Sequence, residues 1–572
     1  MILGLGLGLS RFMTSGSTAA LSLPFATTGT LDPRITFTRA SLAMRYDSTG
    51  KLTYAPNNLI SNSNDFSAVG WTRDGGGSTL TTGVSDPLGG TNATTFTATG
   101  ANARLYAGSS IASINYINSI WVRRRTGTGT ISYWTPSNSP VDVTSLISAS
   151  WARINLNGAG SSSVFNLLIL ATIGDAIDIA FAQIEAVTYE TTPRPYNATT
   201  ASLFHGARLD HNPATLAPLG LLIEEARTNS TTYSQELDNA AHTKSGTTIT
   251  ANAIVAPDGT TTADRVVCVA GNTEHLVTTP LTTVTAAPWT GSIYVKQDTY
   301  RYVSIGLRAF GGSGHGTAVI DLQTGTITQT TSAVGVSAVS STITSVGSGW
   351  FRVTVTGTYG GVYASSGIEV AFVSGPTPTL GAVGREAFVA AVTDTTYFWG
   401  AQLEAGAFAT SYIPTVAATV TRAADSASMT GTNFSSWYSQ TEGTWVVEYV
   451  SAGIITGNAY PFGTYTPGLA AFAGIRAGNS QWNTSAGAVA ISPSTMNVAA
   501  HKISVAYKAG VGETAASIDG NAVTTGTITP PVVNALGIGG LEGAIYLLNG
   551  HIKSLTYFKT RKTNAELVTL ST

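Results

Sequence analysis

Two stretches of this chain repeat one another in order, so the fold must accommodate one blueprint twice. Asn58, Ser63, Phe66 and Trp71 recur as Asn229, Ser234, Leu237 and His242, each pair 171 positions apart. Downstream, SIWVR from Ser119 to Arg123 answers SIYVK from Ser292 to Lys296 at offset 173. Trp151-Ala152-Arg153 then answers Trp350-Phe351-Arg352 at offset 199, which places an insertion in the second copy. Ala182 to Ala186 with Pro195 answers Ala401 to Ala405 with Pro414, both at offset 219.

Inside the copies the hydropathy pattern has period two. Phe351, Val353 and Val355 fall on one face of a strand and Arg352, Thr354 and Thr356 on the other. Gly, Ser and Thr punctuate such runs, as in Gly347-Ser348-Gly349 before Trp350, and supply the turns of an antiparallel meander or Greek key. Two jelly-roll sandwiches are the natural solution. A third, unmatched unit follows Asp425. Trp445, Val447 and Tyr449 alternate with Val446, Glu448 and Val450 there, Asp519-Gly520-Asn521 reads as a tight hairpin, and Thr563 with Glu566 forms a capping box for one short final helix. The fold class is therefore all-β.

The balance of charge narrows the partners. Lys and Arg number 29 against 31 Asp and Glu, with no basic block, so a direct nucleic-acid partner is not expected. The single cysteine, Cys268, cannot close an intramolecular disulfide. The apolar leader from Met1 to Leu9 lacks a preceding Lys or Arg and is far shorter than the roughly 20 apolar residues of a spanning helix, which argues against a signal peptide and against membrane insertion. Its alternating Leu3, Leu5, Leu7 and Leu9 give instead a strand with one sticky face, suited to anchoring on another protein.

The run from Ala214 to Asn229 (ATLAPLGLLIEEARTN), with Ala256 to Arg265 (APDGTTTADR), resembles bacteriophage head-spike and tail-fibre proteins built from carbohydrate-binding-module-like domains. Phe37 to Ser41 and Tyr46 to Gly50 fit the same pattern. The last unit is similar to laminin-G or concanavalin-like lectin domains through Ile518-Asp519-Gly520, Leu536 to Gly540, Gly550 to Lys553 and Asn564 to Leu567. The resemblance implies a non-enzymatic structural protein on the virion surface, a head or tail fibre, spike or capsid decoration. It implies a homotrimer, contact with other virion proteins through the N-terminus, and attachment to host-surface polysaccharide. The expected layout is a virion-anchoring segment over 1–56, sandwich modules over 57–198 and 229–416, linkers over 199–228 and 417–432, and the laminin-G/concanavalin-like sandwich over 433–572.

Aromatic rings stack on sugar faces while neighbouring polar groups bond the hydroxyls. Trp151, Trp350 and Trp445 open alternating strands and read as core, whereas Tyr133 and Trp134 in SYWTPSN and Trp482 in NSQWN have the short polar contexts of exposed loop aromatics and are the glycan-binding candidates. Asp86, Asp258 and Asp264 lie near oxygen-rich turns and are candidates for a structural calcium, against a plain turn-forming role; no other cofactor is implied. Glu224-Glu225 is the only adjacent carboxylate pair, but glycosidase carboxylates face each other across the scissile bond, so a solvated linker is the expected reading. No HExxH, GxSxG or P-loop pattern occurs, and a capsule depolymerase ranks below a structural protein or a receptor-binding lectin.

Overall fold

The computed structural model describes residues 18–108, 114–137, 139–160, 164–310, 314–453, 458–477, 481–490 and 498–572. Leu3, Leu5, Leu7 and Leu9 of the proposed anchor lie outside them, as do Asn138, Asn479 and Ser480. The chain divides into two compact units, one made of 1–36 with 426–572 and the other of 37–425.

The 37–425 unit holds the two copies, each a pair of antiparallel sheets closed over an apolar core. In copy one a sheet ordered Ala152–Ala159, Asn115–Thr126, Ala176–Val187, Ala93–Ala98, Ser78–Val84 faces a sheet ordered Pro140–Asp142, Ile131–Trp134, Val164–Leu170, Ala103–Gly108, Trp71–Asp74. Ile120, Val122 and Ile177 from the first meet Leu105, Tyr133 and Leu168 from the second, all fully buried. Copy two keeps both orders and adds an edge strand to each sheet, Thr326–Ser332 beside Gly314–Asp321 and Val336–Ser345 beside Trp350–Tyr359, with a further short strand, Thr282–Val284, on Tyr363–Phe372. These strands take up the rise in offset from 173 to 199.

The duplication holds bond by bond. Ser63 Oγ meets the Tyr196 hydroxyl at 2.6 Å, and Ser234 Oγ meets the Tyr412 hydroxyl at 2.7 Å. Thr199 N donates to Ser63 Oγ as Thr415 N donates to Ser234 Oγ. Trp71 Nε1 reaches the carbonyl of Asn62, and the His242 ring occupies the same place on the carbonyl of Tyr233. These bonds correct one pairing: Tyr196 corresponds to Tyr412 at offset 216, so the loop after the second AQLEA motif is shorter and Pro195 is not the counterpart of Pro414.

The segments expected to be linkers are structured. Phe204–His205 pairs with Asn57–Asn58, Arg227–Asn229 pairs with Val420–Arg422, and Leu221, Leu222 and Ile223 are buried. The two copies are also not independent beads. A hairpin of Met44–Tyr46 and Leu52–Tyr54 contributes Met44, Leu52 and Tyr54 to an apolar cluster that runs from copy one to Tyr294, Trp350 and Trp399 of copy two.

Glu224 overturns the expectation of solvated linker charges. Its carboxylate is 3 % exposed, pairs with Arg208 and with Arg422 at 3.4 Å, and accepts from Ser411 N and Oγ. Asp425 joins Arg39 at 2.9 Å and also pairs with Arg208. Three arginines from segments far apart in sequence therefore share two buried carboxylates. Burial raises the Glu224 pKa, but Arg422 and Arg208 outweigh it and hold the carboxyl well below the usual range. Glu225 is partly exposed and pairs with Arg227.

In the second unit Leu21–Leu23 pairs with Gly550–Phe558, which pairs with Glu442–Ser451 and then Ala500–Lys508 and Thr514–Ile518. Leu21, Leu23 and Phe25 are buried, so this part of the expected anchoring segment belongs to the C-terminal sandwich rather than to a free leader. The other sheet runs Ser426–Thr430, Ala535–Ile538, Phe462–Tyr465, Phe472–Arg476, Gln481–Thr484, Gly487–Ala490, so this sandwich takes in a strand from the expected 417–432 linker and begins before 433. The hairpin turn has Asp519 at φ 49° and Gly520 at φ 72°, and Asn564–Leu570 is helical with Thr563 and Glu566 forming the expected capping box.

Candidate functional site

Strand alternation sorts the candidate aromatics. In Ile131–Trp134, Ile131 and Tyr133 point into the core and are fully buried, which leaves Ser132 and Trp134 on the opposite, outer face. Tyr133 therefore cannot serve as a sugar platform. Trp134 is half-buried, and its Nε1 has no hydrogen-bond partner among the described residues.

Register carries that face across five strands. Asp142 pairs with Ser132, Ser132 with Ile169, Ile169 with Arg104, and Arg104 with Asp74, and directly paired residues share a face. The neighbouring row brings Trp134 opposite Pro140 and Tyr106 opposite Thr72. Leu105 and Ala107, which alternate with Arg104 and Tyr106, are buried. Asp74, Arg104 and Asp142 are exposed, Ser132, Ile169 and Tyr106 partly so. Five strands at their usual spacing make this face about 19 Å wide.

The polar groups are held in place but not exhausted. The Tyr106 hydroxyl donates to Asp74 Oδ2 at 3.2 Å, leaving Oδ1 without a partner from this bond. Asp142 accepts from Thr144 N at 2.9 Å, and the Thr144 hydroxyl and N–H lower its pKa. Beside the face, at the sheet edge, an open cleft of about 600 Å³ is lined by Phe66, Trp71, Arg73, Asp74, Gly75 and Ser78. Trp71 is fixed by its bond to Asn62 and by Phe66, whose ring centroid lies 4.7 Å away. Asp74 borders both cleft and face. Of these residues only Trp134 was singled out as a site from the sequence; the alternation Arg104, Leu105, Tyr106, Ala107 was the available signal for the rest.

No family model matches this chain, and no curated protein matches it. Among solved structures it is similar to the tandem CBM22 domains of Paenibacillus barcinonensis Xyn10C, at 11% identity and TM-score 0.20 over 62% of this chain and 98% of that one. Domains LG4-5 of the mouse laminin alpha1 chain match at 8% identity and TM-score 0.15 over 52% and 83%. A Trypanosoma rangeli sialidase matches at 10% identity and TM-score 0.21 over 96% and 95%. Likenesses this distant say nothing about what the chain binds.

Trp482 departs from expectation. It lies in the strand Gln481–Thr484, is 2 % exposed, and stacks on Tyr507 with ring planes 9° apart and centroids 6.3 Å apart. It is core, not a platform, because the polar letters around it alternate onto the outer face. Trp350 and Trp445 are core as expected, while Trp151 is half-buried under the guanidinium of Arg123.

The calcium candidates do not converge. Asp86 Oδ1 accepts from Leu88 N and Gly90 N and its Oδ2 from Asn92; Asp258 accepts from Thr260; Asp264 accepts from Leu237 N and Asn252 N. Carboxylates turned onto N–H donors close turns, whereas calcium needs six to eight oxygens. Among the described residues no group of three or more His, Cys, Asp or Glu is placed to hold a metal. Burial raises the Asp264 pKa to about 6.

Proposed function

We propose that this chain is a structural, glycan-contacting protein of a bacteriophage surface, and that copy one contacts saccharide through its outer sheet face. The observation that carries the glycan part is the row of Asp74, Arg104, Ser132 and Asp142 set beside Trp134 and Tyr106 on one open face. Aromatic rings offer the apolar side of a sugar a surface, and exposed carboxylates and a guanidinium are strong partners for hydroxyls. Two carboxylates flank one arginine, so an anionic polymer meets repulsion and a neutral saccharide does not. Copies on one particle make a weak individual site sufficient through effective concentration.

The virion part rests on the sequence resemblance and on the apolar leader. That leader runs into Leu21–Leu23, so an anchor there acts through the 1–36 with 426–572 unit. An enzymatic role finds no support in Glu224, whose carboxylate is already engaged by two arginines and a serine. The test is retention of neutral and uronate oligosaccharides by the full chain. Neutral binding that falls at least tenfold in Trp134→Ala and Asp74→Asn is expected; equal binding by wild type and both variants would overturn the reading. Deleting residues 1–30 is expected to lower the protein's copy number on purified particles, and an unchanged number would contradict the anchor.

A further inference from the structure

The same face exists in copy two, but it is covered. Strand Tyr302–Phe310 takes the place of Ile131–Trp134 in the sheet order. Its Val303, Ile305 and Leu307 are core, so Ser304, Gly306 and Arg308 face outward. Register sets Arg308 beside His315 and Gly367, Gly306 between Thr317 and Glu369, and Glu369 beside Thr278. These are polar residues on an outer face, yet Ser304, Arg308, His315, Thr317 and Glu369 are each at most 4 % exposed.

What covers Arg308, His315 and Glu369 is a strap after strand Tyr363–Phe372, running from Ser374 to Glu386 with three glycines and two prolines. Arg308 donates to the carbonyl of Gly384 at 3.1 Å, and Arg385 straddles the Glu369 carboxylate, its Nε 3.0 Å from both oxygens. Gly384, at φ 72°, lies so close that a Cβ would come within 2.5 Å of Arg308 and His315. The strap has no regular secondary structure of its own before Ala387–Ala390, which pairs with Gly271–Glu274. Its base is tied by Ser374, whose N and Oγ donate to Glu386.

Two features of this outer face go beyond packing. Ser304 Oγ, flanked there by Val319 and Ala371, is buried without a hydrogen-bond partner among the described residues, although buried hydroxyls are nearly always satisfied. Arg308 and Arg385 share one buried carboxylate, an arrangement that apolar residues of similar volume replace without loss of stability in other proteins. A covered face that served only as core would be apolar throughout, as the inner face is; here Val319 and Ala371 are apolar but Arg308, His315, Thr317 and Glu369 are not.

We propose that copy two carries a second saccharide site beneath residues 375–386, with the strap as its lid and Arg385 as the internal occupant of Glu369. When the lid lifts, hydroxyls of a neutral saccharide take the positions of Arg385 on Glu369 and of the Gly384 carbonyl on Arg308. The ligand class rests on the reading of copy one; the lid does not. The two copies then differ in access rather than in kind, one open and one gated.

The experiment uses the full chain in a Trp134→Ala background, so that copy one is silent, with maltohexaose, cellohexaose and mannohexaose as probes. Amide exchange reads the strap and equilibrium binding reads the site. Arg385→Ala is expected to speed exchange over 375–386 at least tenfold and to raise affinity for at least one hexasaccharide at least tenfold over the Trp134→Ala parent. Glu386→Ala loosens the base of the strap without touching the covered face and is expected to act in the same direction, which keeps the test open if Arg385→Ala fails to fold. Faster exchange without gain in binding overturns the second site, and unchanged exchange in a folded variant overturns the lid. Failure of the copy-one reading shows separately, as unchanged binding between wild type and Trp134→Ala.

Discussion

Asn58 and Asn229 make the same four hydrogen bonds in the two copies. Asn58 Nδ2 donates to the carbonyls of Ala182 and Asn197 while Oδ1 accepts from Ile60 N and Ile184 N. Asn229 does so with Ala401, Ile413, Thr231 and Leu403. Both are fully buried, and each stitches the start of its copy to the strand that carries the AQ(I/L)EA motif.

Replacing either asparagine by alanine strands two buried N–H and two buried carbonyl groups. A loss of about 3 kcal/mol or more is expected for Asn58→Ala and a similar loss for Asn229→Ala, read as a shift in urea midpoint. Equal, small effects below about 1 kcal/mol would mean that water replaces the amide.

Glu224 makes acid stability predictable. Its folded pKa lies below the ordinary 4.5, so its contribution is present above that value and is lost as pH falls below it. Asp264, raised to about 6, has the opposite sign: its contribution is present at low pH and is lost as pH rises through about 6. Glu224→Gln is expected to cost about 3–5 kcal/mol at pH 7, because it leaves Arg208 and Arg422 short of charge, and to flatten the acid limb between pH 4.5 and 2. Urea unfolding from pH 7 down to pH 2 measures both.

Trp482→Ala removes a fully packed ring beside Tyr507 and should cost about 3–5 kcal/mol while leaving saccharide affinity unchanged where the variant is folded. Thermal unfolding and a binding titration on the same sample separate the two effects. A loss of affinity at unchanged stability would return Trp482 to the candidate site.

The duplication was legible in the sequence because its markers are buried hydrogen-bonding residues whose spacing is set by the strands between them. Asn58, Ser63 and Ala182 keep their partners in the second copy, so offsets of 171 and 219 survive there. The Pro195 and Pro414 pairing failed because a shortened loop moves the register by a step that prolines at loop ends do not reveal. Glu224 was misread because its partners, Arg208, Arg422 and, through Asp425, Arg39, come from segments that meet only in the folded unit. Polar neighbours made Trp482 look exposed, yet in a strand the neighbours of a core residue point outward. The open face of copy one was half legible. Trp134 stood out by type, but its union with Tyr106, Arg104 and Asp74 is a matter of strand order and register, which local sequence does not encode.

The central claim is that the outer face of copy one is where saccharide sits, and amide exchange of the full chain with and without a retained neutral oligosaccharide tests it most directly. Protection is predicted in Trp71–Asp74, Ala103–Gly108 and Ile131–Trp134, reduced in Trp134→Ala. Protection confined to the 426–572 sandwich, with these three strands unchanged, would contradict it.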